Sequence, residues 1–186
     1  MIPQILGIDP GTKKIGLAVV EGVAKPTLIY VDVAKGITQL NTLYNLSLKI
    51  SYIGLNYNIT EIVIEGQTYY IEEQKKKSKP EDLIKLAFMA GGAAANCIHT
   101  FGASLDIVVP FPREWKGNVP KSIKQDRILH KLRIPIARRM KTGCPVPDVN
   151  TGMHCKNMCM VNDGDWFDIL DAVGLALWRI EGHAYN

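Results

Sequence analysis

Two apolar runs near the start of the chain, residues 5–9 and 15–20, are separated by a connector of five residues, Pro-Gly-Thr-Lys-Lys. Such a connector favours a β-hairpin, because proline and glycine supply the backbone angles of turns. A third strand is predicted over residues 27–33. The chain therefore begins with three strands in hairpin order, which commits it to a sheet.

After these strands the pattern alternates between helix and strand. A first helix is predicted over residues 39–57, with one stripe of residues at helical spacing: Leu40, Leu43, Tyr44, Ser47, Ile50 and Gly54. The further predicted elements are a doubly buried strand 61–65, a long helix 81–101, a strand 105–109 that stops at Pro110, and helices 121–132 and 166–181. This order predicts an α/β fold, with a five-stranded mixed sheet flanked by helices.

The middle of the long helix, residues 90–95, is almost all glycine and alanine. Small side chains there let another helix approach closely, from within this chain or from a second copy. Cys97, one turn further on, is predicted to be a small core residue.

Length and composition fit one domain with its own core, because the chain has 186 residues, of which 47% are hydrophobic and 22% charged. Its longest apolar stretches are interrupted by Lys85, Asn96 or Asp9, so no membrane span is predicted. The first eleven residues lack the basic region and cleavage site of a secretory signal. We therefore expect a single domain over residues 1–186, soluble and cytoplasmic.

Charge is distributed unevenly along the chain. The net charge is +4, yet residues 113–141 carry ten basic residues against Glu114 and Asp126, so the remainder is net acidic. A second basic run follows Tyr69 and Tyr70 and consists of Lys75, Lys76, Lys77 and Lys79. Charge runs often only solvate a surface, but two runs beside aromatic residues favour binding of a polyanion.

Four carboxylates are placed where they can converge. Asp9 ends the first predicted strand, Glu65 ends the buried strand, and Asp168 and Asp171 lie three residues apart on the last helix. If they meet, their repulsion requires cations, and oxygen ligands favour Mg²⁺ or Mn²⁺. Each residue alone also has a plain structural explanation, and the combination is what indicates phosphoryl-transfer chemistry.

These residues resemble a known family. The segment Ile-Leu-Gly-Ile-Asp-Pro-Gly-Thr (5–12), the strand Ile-Val-Ile-Glu (62–65) and Asp-Ile-Leu-Asp-Ala (168–172) are similar, in order and spacing, to RuvC-type Holliday-junction resolvases of the ribonuclease H-like superfamily. The resemblance implies a homodimer that cuts four-way DNA junctions by paired symmetric nicks, with Mg²⁺ held by four carboxylates. By position those carboxylates are Asp9, Glu65, Asp168 and Asp171.

The resemblance extends to further residues. It implies essential lysines at Lys116 and Lys121, and an aromatic residue that stacks on bases at Tyr69 or Tyr70, where the register is open. It also implies dimerisation near Gly91 and Gly92. The other predicted DNA-binding residues are basic: Lys75, Lys76, Lys77, Lys79, Arg113 and Lys124.

The loop at about 142–164 departs from this pattern and hints at a divergent or viral lineage, which would place the protein in a host cytoplasm. It contains four possible zinc ligands, Cys144, His154, Cys155 and Cys159. Cys155 and Cys159 have the spacing of half a structural zinc site, but the adjacent His154 and Cys155 cannot easily both bind. Free thiols in a reducing cytosol are therefore the preferred interpretation, with Zn²⁺ as the alternative.

Three other functions rank below the nuclease on sequence grounds. A YqgF-type protein of RNA processing is similar over residues 7–19, but that group generally lacks a glutamate at the position of Glu65. An actin-like kinase or ATPase needs a second domain of similar size, for which this chain has no room. A non-catalytic junction-binding protein would keep the basic surface without needing the carboxylates.

Overall fold

The computed structural model describes residues 2–67, 79–117, 120–132 and 165–184. Five strands lie in this part of the chain: β1 Gln4–Pro10, β2 Lys14–Glu21, β3 Thr27–Lys35, β4 Glu61–Ile64 and β5 Asp106–Val108. Five helices accompany them: α1 Gln39–Asn56, α2 Pro80–Phe101, α3 Pro112–Lys116, α4 Lys121–Lys131 and α5 Trp166–Ala184. The predicted elements occur in the predicted order, and the short helix α3, which was not predicted, is inserted between β5 and α4.

The strands form one mixed sheet in the order β3-β2-β1-β4-β5. The pairs β1/β2 and β2/β3 are antiparallel, as the hairpin pattern predicts, and β1/β4 and β4/β5 are parallel. All four residues of β4 are buried. The predicted α/β fold with a five-stranded mixed sheet is therefore confirmed.

Helices cover both faces of the sheet, because neighbouring strand residues point to opposite sides. Leu6 and Ile8 of β1 belong to the cluster formed with α1 and α2. Ile5 and Ala18 belong to the opposite cluster, which contains residues of α3, α4 and α5. Among the described residues, no helix is long and apolar enough to cross a bilayer.

The buried face of α1 differs from the predicted stripe. The helix buries Thr42, Leu46, Ile50 and Ile53, whereas Leu40 is 70% and Tyr44 64% exposed. The predicted stripe is right at Ile50, which is buried, and at Leu43, which packs against the core, but apolar residues recur at helical spacing on two sides of α1, and periodicity alone does not distinguish them. Packing against both the sheet and α2 selects the buried side.

Small residues on α2 allow the close approach that the sequence predicts. A Cβ on Gly92 would lie 2.7 Å from the Leu43 side chain, so α1 fills this position from within the chain. A Cβ on Gly91 would meet no atom within 4 Å. Cys97 is a buried core residue, as predicted, and burial raises the pKa of its thiol to about 12.

Helix α5 lies directly on the first two strands. A Cβ on Gly7 of β1 would lie 2.0 Å from the Ala172 carbonyl oxygen, and one on Gly16 of β2 would lie 2.2 Å from the Asp168 carbonyl oxygen. Any larger residue at these two positions would push the helix away from the sheet. The two glycines therefore set the distance between α5 and the sheet, and this distance fixes the position of the acidic residues of α5.

Candidate active site

The ends of two neighbouring parallel strands supply the first two acidic residues. Asp9 is the second-last residue of β1, and Glu65 directly follows β4. Ile8 pairs with Ile64, and the Glu65 amide donates a 3.0 Å hydrogen bond to the Ile8 carbonyl. This bond continues the ladder beyond β4, so that Asp9 and Glu65 lie side by side at one edge of the sheet.

Helix α5 brings the other two acidic residues to the same region. Asp168 rests through its carbonyl on Gly16, which is the register partner of Asp9. Asp171 precedes Ala172, the residue that rests on Gly7, and it is buried. The close packing of α5 thus places Asp171 and Asp168 beside the ends of β1 and β2.

The electrostatics of Asp9 reflect this convergence. Removal from water raises the pKa of Asp9 well above its usual range, and the charge of Glu65, a hydrogen bond with Glu65 and the charge of Asp171 raise it further. The charge of Asp168 acts on Lys14 and raises its pKa. The main cause of that raised pKa is a hydrogen bond to Asp165. The structure therefore gathers Asp9, Glu65 and Asp171 in one cluster, with Asp168 one helical turn away.

Lys116, the last residue of α3, lies within this cluster. Its Nζ is 2.7 Å from Glu65 Oε1 and 3.5 Å from Asp171 Oδ2. Burial would lower the pKa of Lys116, but the charges of Glu65 and Asp171 outweigh it and raise the pKa. The lysine predicted from the family resemblance thus contacts two of the predicted carboxylates.

Trp115 is a residue of the cluster that the sequence analysis missed. Its indole Nε1 donates a 3.1 Å hydrogen bond to Glu65 Oε1, and the residue is buried. In the sequence, the only signal for Trp115 is that it precedes Lys116. A tryptophan next to a lysine predicts no function unless its hydrogen-bond partner, Glu65, is known. The partner lies fifty residues away in the chain.

Lys124, predicted to bind DNA, points toward the protein. Its Nζ donates to the Trp115 carbonyl and lies 3.6 Å from the centroid of the Trp115 ring. Burial lowers the pKa of Lys124 to about 7, and the charge of Lys116 acts in the same direction. A phosphate contact by this lysine would require its side chain to turn outward.

The remaining predicted residues fall in two groups. Arg113 and Lys79 are exposed at α3 and at the start of α2. Lys121 begins α4, and its side chain lies outside the described part of the structure. The other predicted residues lie wholly outside the described ranges: Tyr69, Tyr70, Lys75, Lys76, Lys77, Cys144, His154, Cys155 and Cys159.

The donor chemistry of the cluster fits a divalent cation. Carboxylate oxygens are the ligands that Mg²⁺ and Mn²⁺ prefer, and a cation would offset both the burial and the mutual repulsion that raise the pKa of Asp9. As they stand, no three His, Cys, Asp or Glu side chains among the described residues are grouped closely enough to hold a metal ion. The Lys116 ammonium contacts Glu65 and Asp171 instead, so these contacts would have to loosen for a metal to bind.

This sheet, with carboxylates gathered at its parallel strand ends, defines the ribonuclease H-like class of α/β proteins. No family model matches the chain. A curated relative, the crossover junction endodeoxyribonuclease RuvC of Campylobacter hominis, is 31% identical over 128 residues, covering 67% of this chain and 74% of the relative. The chain belongs to the RuvC family of crossover junction endodeoxyribonucleases, which confirms the resemblance seen in the sequence.

Solved structures agree in fold. Thermus thermophilus RuvC in complex with a Holliday junction substrate has a TM-score of 0.64 at 18% identity, covering 98% of this chain and 96% of that one. The yeast mitochondrial Holliday junction resolvase Ydc2 has a TM-score of 0.52 at 15% identity, covering 98% of this chain and 83% of that one. These findings do not favour the YqgF-type alternative.

Proposed function

We propose that this chain is a metal-dependent, structure-selective DNA endonuclease that resolves four-way junctions by paired symmetric nicks. The observation that carries the proposal is the clustering of Asp9, Glu65 and Asp171 around Lys116, in a chain of the RuvC family. A cluster with three carboxylates and one ammonium holds more negative than positive charge. Such a site suits chemistry that recruits cations to a phosphodiester.

The residues that would hold Mg²⁺, or Mn²⁺ in its place, are Asp9, Glu65, Asp168 and Asp171. Bound ions would supply Lewis acidity, which activates water and stabilises the leaving oxygen of the phosphodiester. Asp9 would contribute at the end of β1 and Asp171 from α5. The role of Lys116 would then be to hold Glu65 and Asp171 in place before the substrate arrives, and to offset charge on the scissile phosphate.

Binding of branched DNA would depend on basic residues outside the cluster. Lys79 and Arg113 are exposed, and Lys121, Lys75, Lys76 and Lys77 are proposed to join them through phosphate contacts. Tyr69 or Tyr70 would stack on bases near the junction, at about 1–3 kcal/mol per base. The affinity should fall steeply with salt, because phosphate contacts release counterions.

Symmetric nicks require two active sites, and we propose that α2 forms a homodimer interface. Its outward side carries exposed residues at alternating spacings of four and three: Ile84, Phe88, Gly91, Ala95 and Ile98. This is the spacing at which two helices pack along a shared seam. The open space at Gly91 is where a partner helix would approach closely.

The single-domain organisation over residues 1–186, the free thiols of the loop at about 142–164 and the cytoplasmic setting remain predictions. The zinc alternative for Cys144, His154, Cys155 and Cys159 is distinguished by metal analysis of the purified protein. A stoichiometric zinc content that disappears on substitution of Cys155 and Cys159 would support the zinc site.

The central experiment is cleavage of a synthetic four-way junction with each strand labelled in turn. We expect symmetric nicks on two opposed strands in Mg²⁺, and weaker or no cleavage of three-way, forked and linear DNA. Asp9→Asn should remove cleavage while retaining junction binding. Tight binding by the wild-type protein without cleavage in Mg²⁺ or Mn²⁺ would instead identify a non-catalytic junction-binding protein.

A further inference from the structure

Glu65 receives two hydrogen bonds on the same oxygen, from consecutive residues of α3. Trp115 Nε1 lies 3.1 Å and Lys116 Nζ 2.7 Å from Glu65 Oε1. The two donors differ in kind, because an ammonium neutralises the carboxylate whereas an indole N–H carries no charge and does not titrate. The indole can therefore orient Glu65 without reducing the negative charge available to a cation.

The indole itself is held firmly. Trp115 is 6% exposed, and its ring fills the space at Gly174 of α5, where a Cβ would lie 2.7 Å from Trp115 Cζ3. Ile128 of α4 also packs against Gly174 and belongs to the same core cluster. The ring therefore packs between α4 and α5, and with Ile128 and Gly174 it lines a cavity of about 160 Å³ on one side.

Two lysines complete the environment of the ring. Lys124 Nζ lies 3.6 Å and Lys116 Nζ 4.6 Å from the ring centroid. The negative face of the indole attracts the Lys116 ammonium and the protonated form of Lys124, which additionally donates to the Trp115 carbonyl. Trp115 is thus fixed at both its ring and its backbone.

We propose that Trp115 is the positioning residue for Glu65, which keeps this carboxylate oriented toward a divalent cation when the Lys116 contact is released. The inference deepens the proposed function and rests on it for the identity of the cation site. Loss of a hydrogen-bond donor that orients a metal ligand typically lowers metal affinity or activity by about 10–100-fold. Trp115 acts through Glu65 and need not touch DNA.

The test compares two Trp→Phe variants. Trp115→Phe keeps an aromatic ring but removes the N–H donor to Glu65. Trp166→Phe is the matched control, because Trp166 is also buried and, within the described residues, its Nε1 has no hydrogen-bond partner. The thermal midpoint of both variants establishes that each is folded.

Binding of Mn²⁺ alone, without DNA, is measured by electron paramagnetic resonance. Trp115→Phe should weaken Mn²⁺ binding by about 10-fold, whereas Trp166→Phe should stay within about twofold of the wild-type affinity. In junction cleavage, Trp115→Phe should lower kcat with little change in KM for DNA, because the indole does not contact the substrate. Equal Mn²⁺ affinities for the two variants would overturn the inference.

A measurement on the wild-type protein covers the case in which Trp115→Phe does not fold. The indole N–H resonance of Trp115 should shift on addition of Mg²⁺, while that of Trp166 stays in place. An unmoved Trp115 resonance at saturating Mg²⁺ would contradict the inference.

The two proposals fail in different ways. If Trp115→Phe selectively weakens Mn²⁺ binding but no junction is cut, the proposed function fails and the positioning role stands. If junctions are cut and the two variants bind Mn²⁺ equally, the function stands and the positioning role fails.

Discussion

Two charge clusters flank the first turn of α5, and they are built in opposite ways. In one, the single carboxylate Asp165 contacts two lysines, Lys14 at 2.8 Å and Lys35. In the other, the single ammonium of Lys116 lies among three carboxylates. In the first cluster the two lysines are matched by Asp165 and by the charge of Asp168 on Lys14, whereas the second cluster has more negative than positive charge.

The charges act against burial on the pKa of Asp165 and with burial on the pKa of Asp9. Burial alone would raise the pKa of Asp165, but hydrogen bonds from Lys14 and Lys35 lower it. Burial also raises the pKa of Asp9, and there Glu65 and Asp171 add to the effect. The comparison teaches that the Asp165 cluster is satisfied by the protein itself, whereas the Asp9 cluster retains an anionic surplus that suits a bound cation.

The largest predicted effect is at Asp9. Asp9→Asn should reduce junction cleavage by at least about 1000-fold, similar to the loss of a main electrostatic group at an active site. Without divalent metal, the same substitution should raise the thermal midpoint, because it removes a carboxylate whose charged form is disfavoured by burial and by the charges of Glu65 and Asp171. Cleavage assays and thermal unfolding in a chelator check both expectations, and a lowered midpoint would mean that the cluster is not repulsive.

Lys116 is expected to show the next largest effect. Lys116→Met removes the ammonium between Glu65 and Asp171, which should lower cleavage by about 100-fold and lower the thermal midpoint in a chelator. Added Mg²⁺ should then stabilise the variant more than the wild-type protein, because a cation replaces the lost charge. An equal Mg²⁺ response in both proteins would contradict the idea that the ion and the lysine share one electrostatic role.

Substitution of Asp165 tests the cluster that Asp165 forms with Lys14 and Lys35. Asp165→Asn should lower the free energy of unfolding by about 1–3 kcal/mol, because two charge-assisted hydrogen bonds to a buried acceptor are weakened. Asp82→Asn is the control, since Asp82 and Lys85 form an exposed ion pair at 3.5 Å, and it should change stability by less than about 1 kcal/mol. Urea unfolding of the three proteins measures the difference. The opposite signs expected for Asp9→Asn and Asp165→Asn are the sharpest consequence of the comparison.

Much of the fold and the centre of the site could be predicted from the sequence, because both depend on local pattern. Asp9 and Glu65 end apolar strands, so a sheet with these strands adjacent brings them together. Asp171 follows from the spacing of the last helix. The sequence pattern did not predict those contacts that join residues far apart in the chain.

Trp115 and Asp165 are examples of that failure. Their partners lie 50 residues away for Trp115, and 151 and 130 residues away for Asp165. The buried side of α1 was predicted only in part for a related reason, since two apolar stripes compete and packing against the sheet and α2 decides between them.

The dependence of stability on pH is the smallest predicted effect and separates the two clusters most directly. Because the pKa of Asp165 is lowered in the folded protein, the unfolded chain takes up its proton first as the pH falls. The stabilisation from Asp165 should therefore be fully present above the unfolded value of about 3.9, and it should be lost as the pH falls through the lower folded value.

The measurement is the difference in unfolding free energy between the wild-type protein and Asp165→Asn, followed from pH 7 toward acid. The difference should stay constant down to about pH 5 and then shrink as Asp165 is protonated in both states. A difference that grows on acidification would mean that the folded protein binds this proton more tightly than the unfolded chain. The two lysines would then not control the charge of Asp165, and the contrast with the Asp9 cluster would disappear.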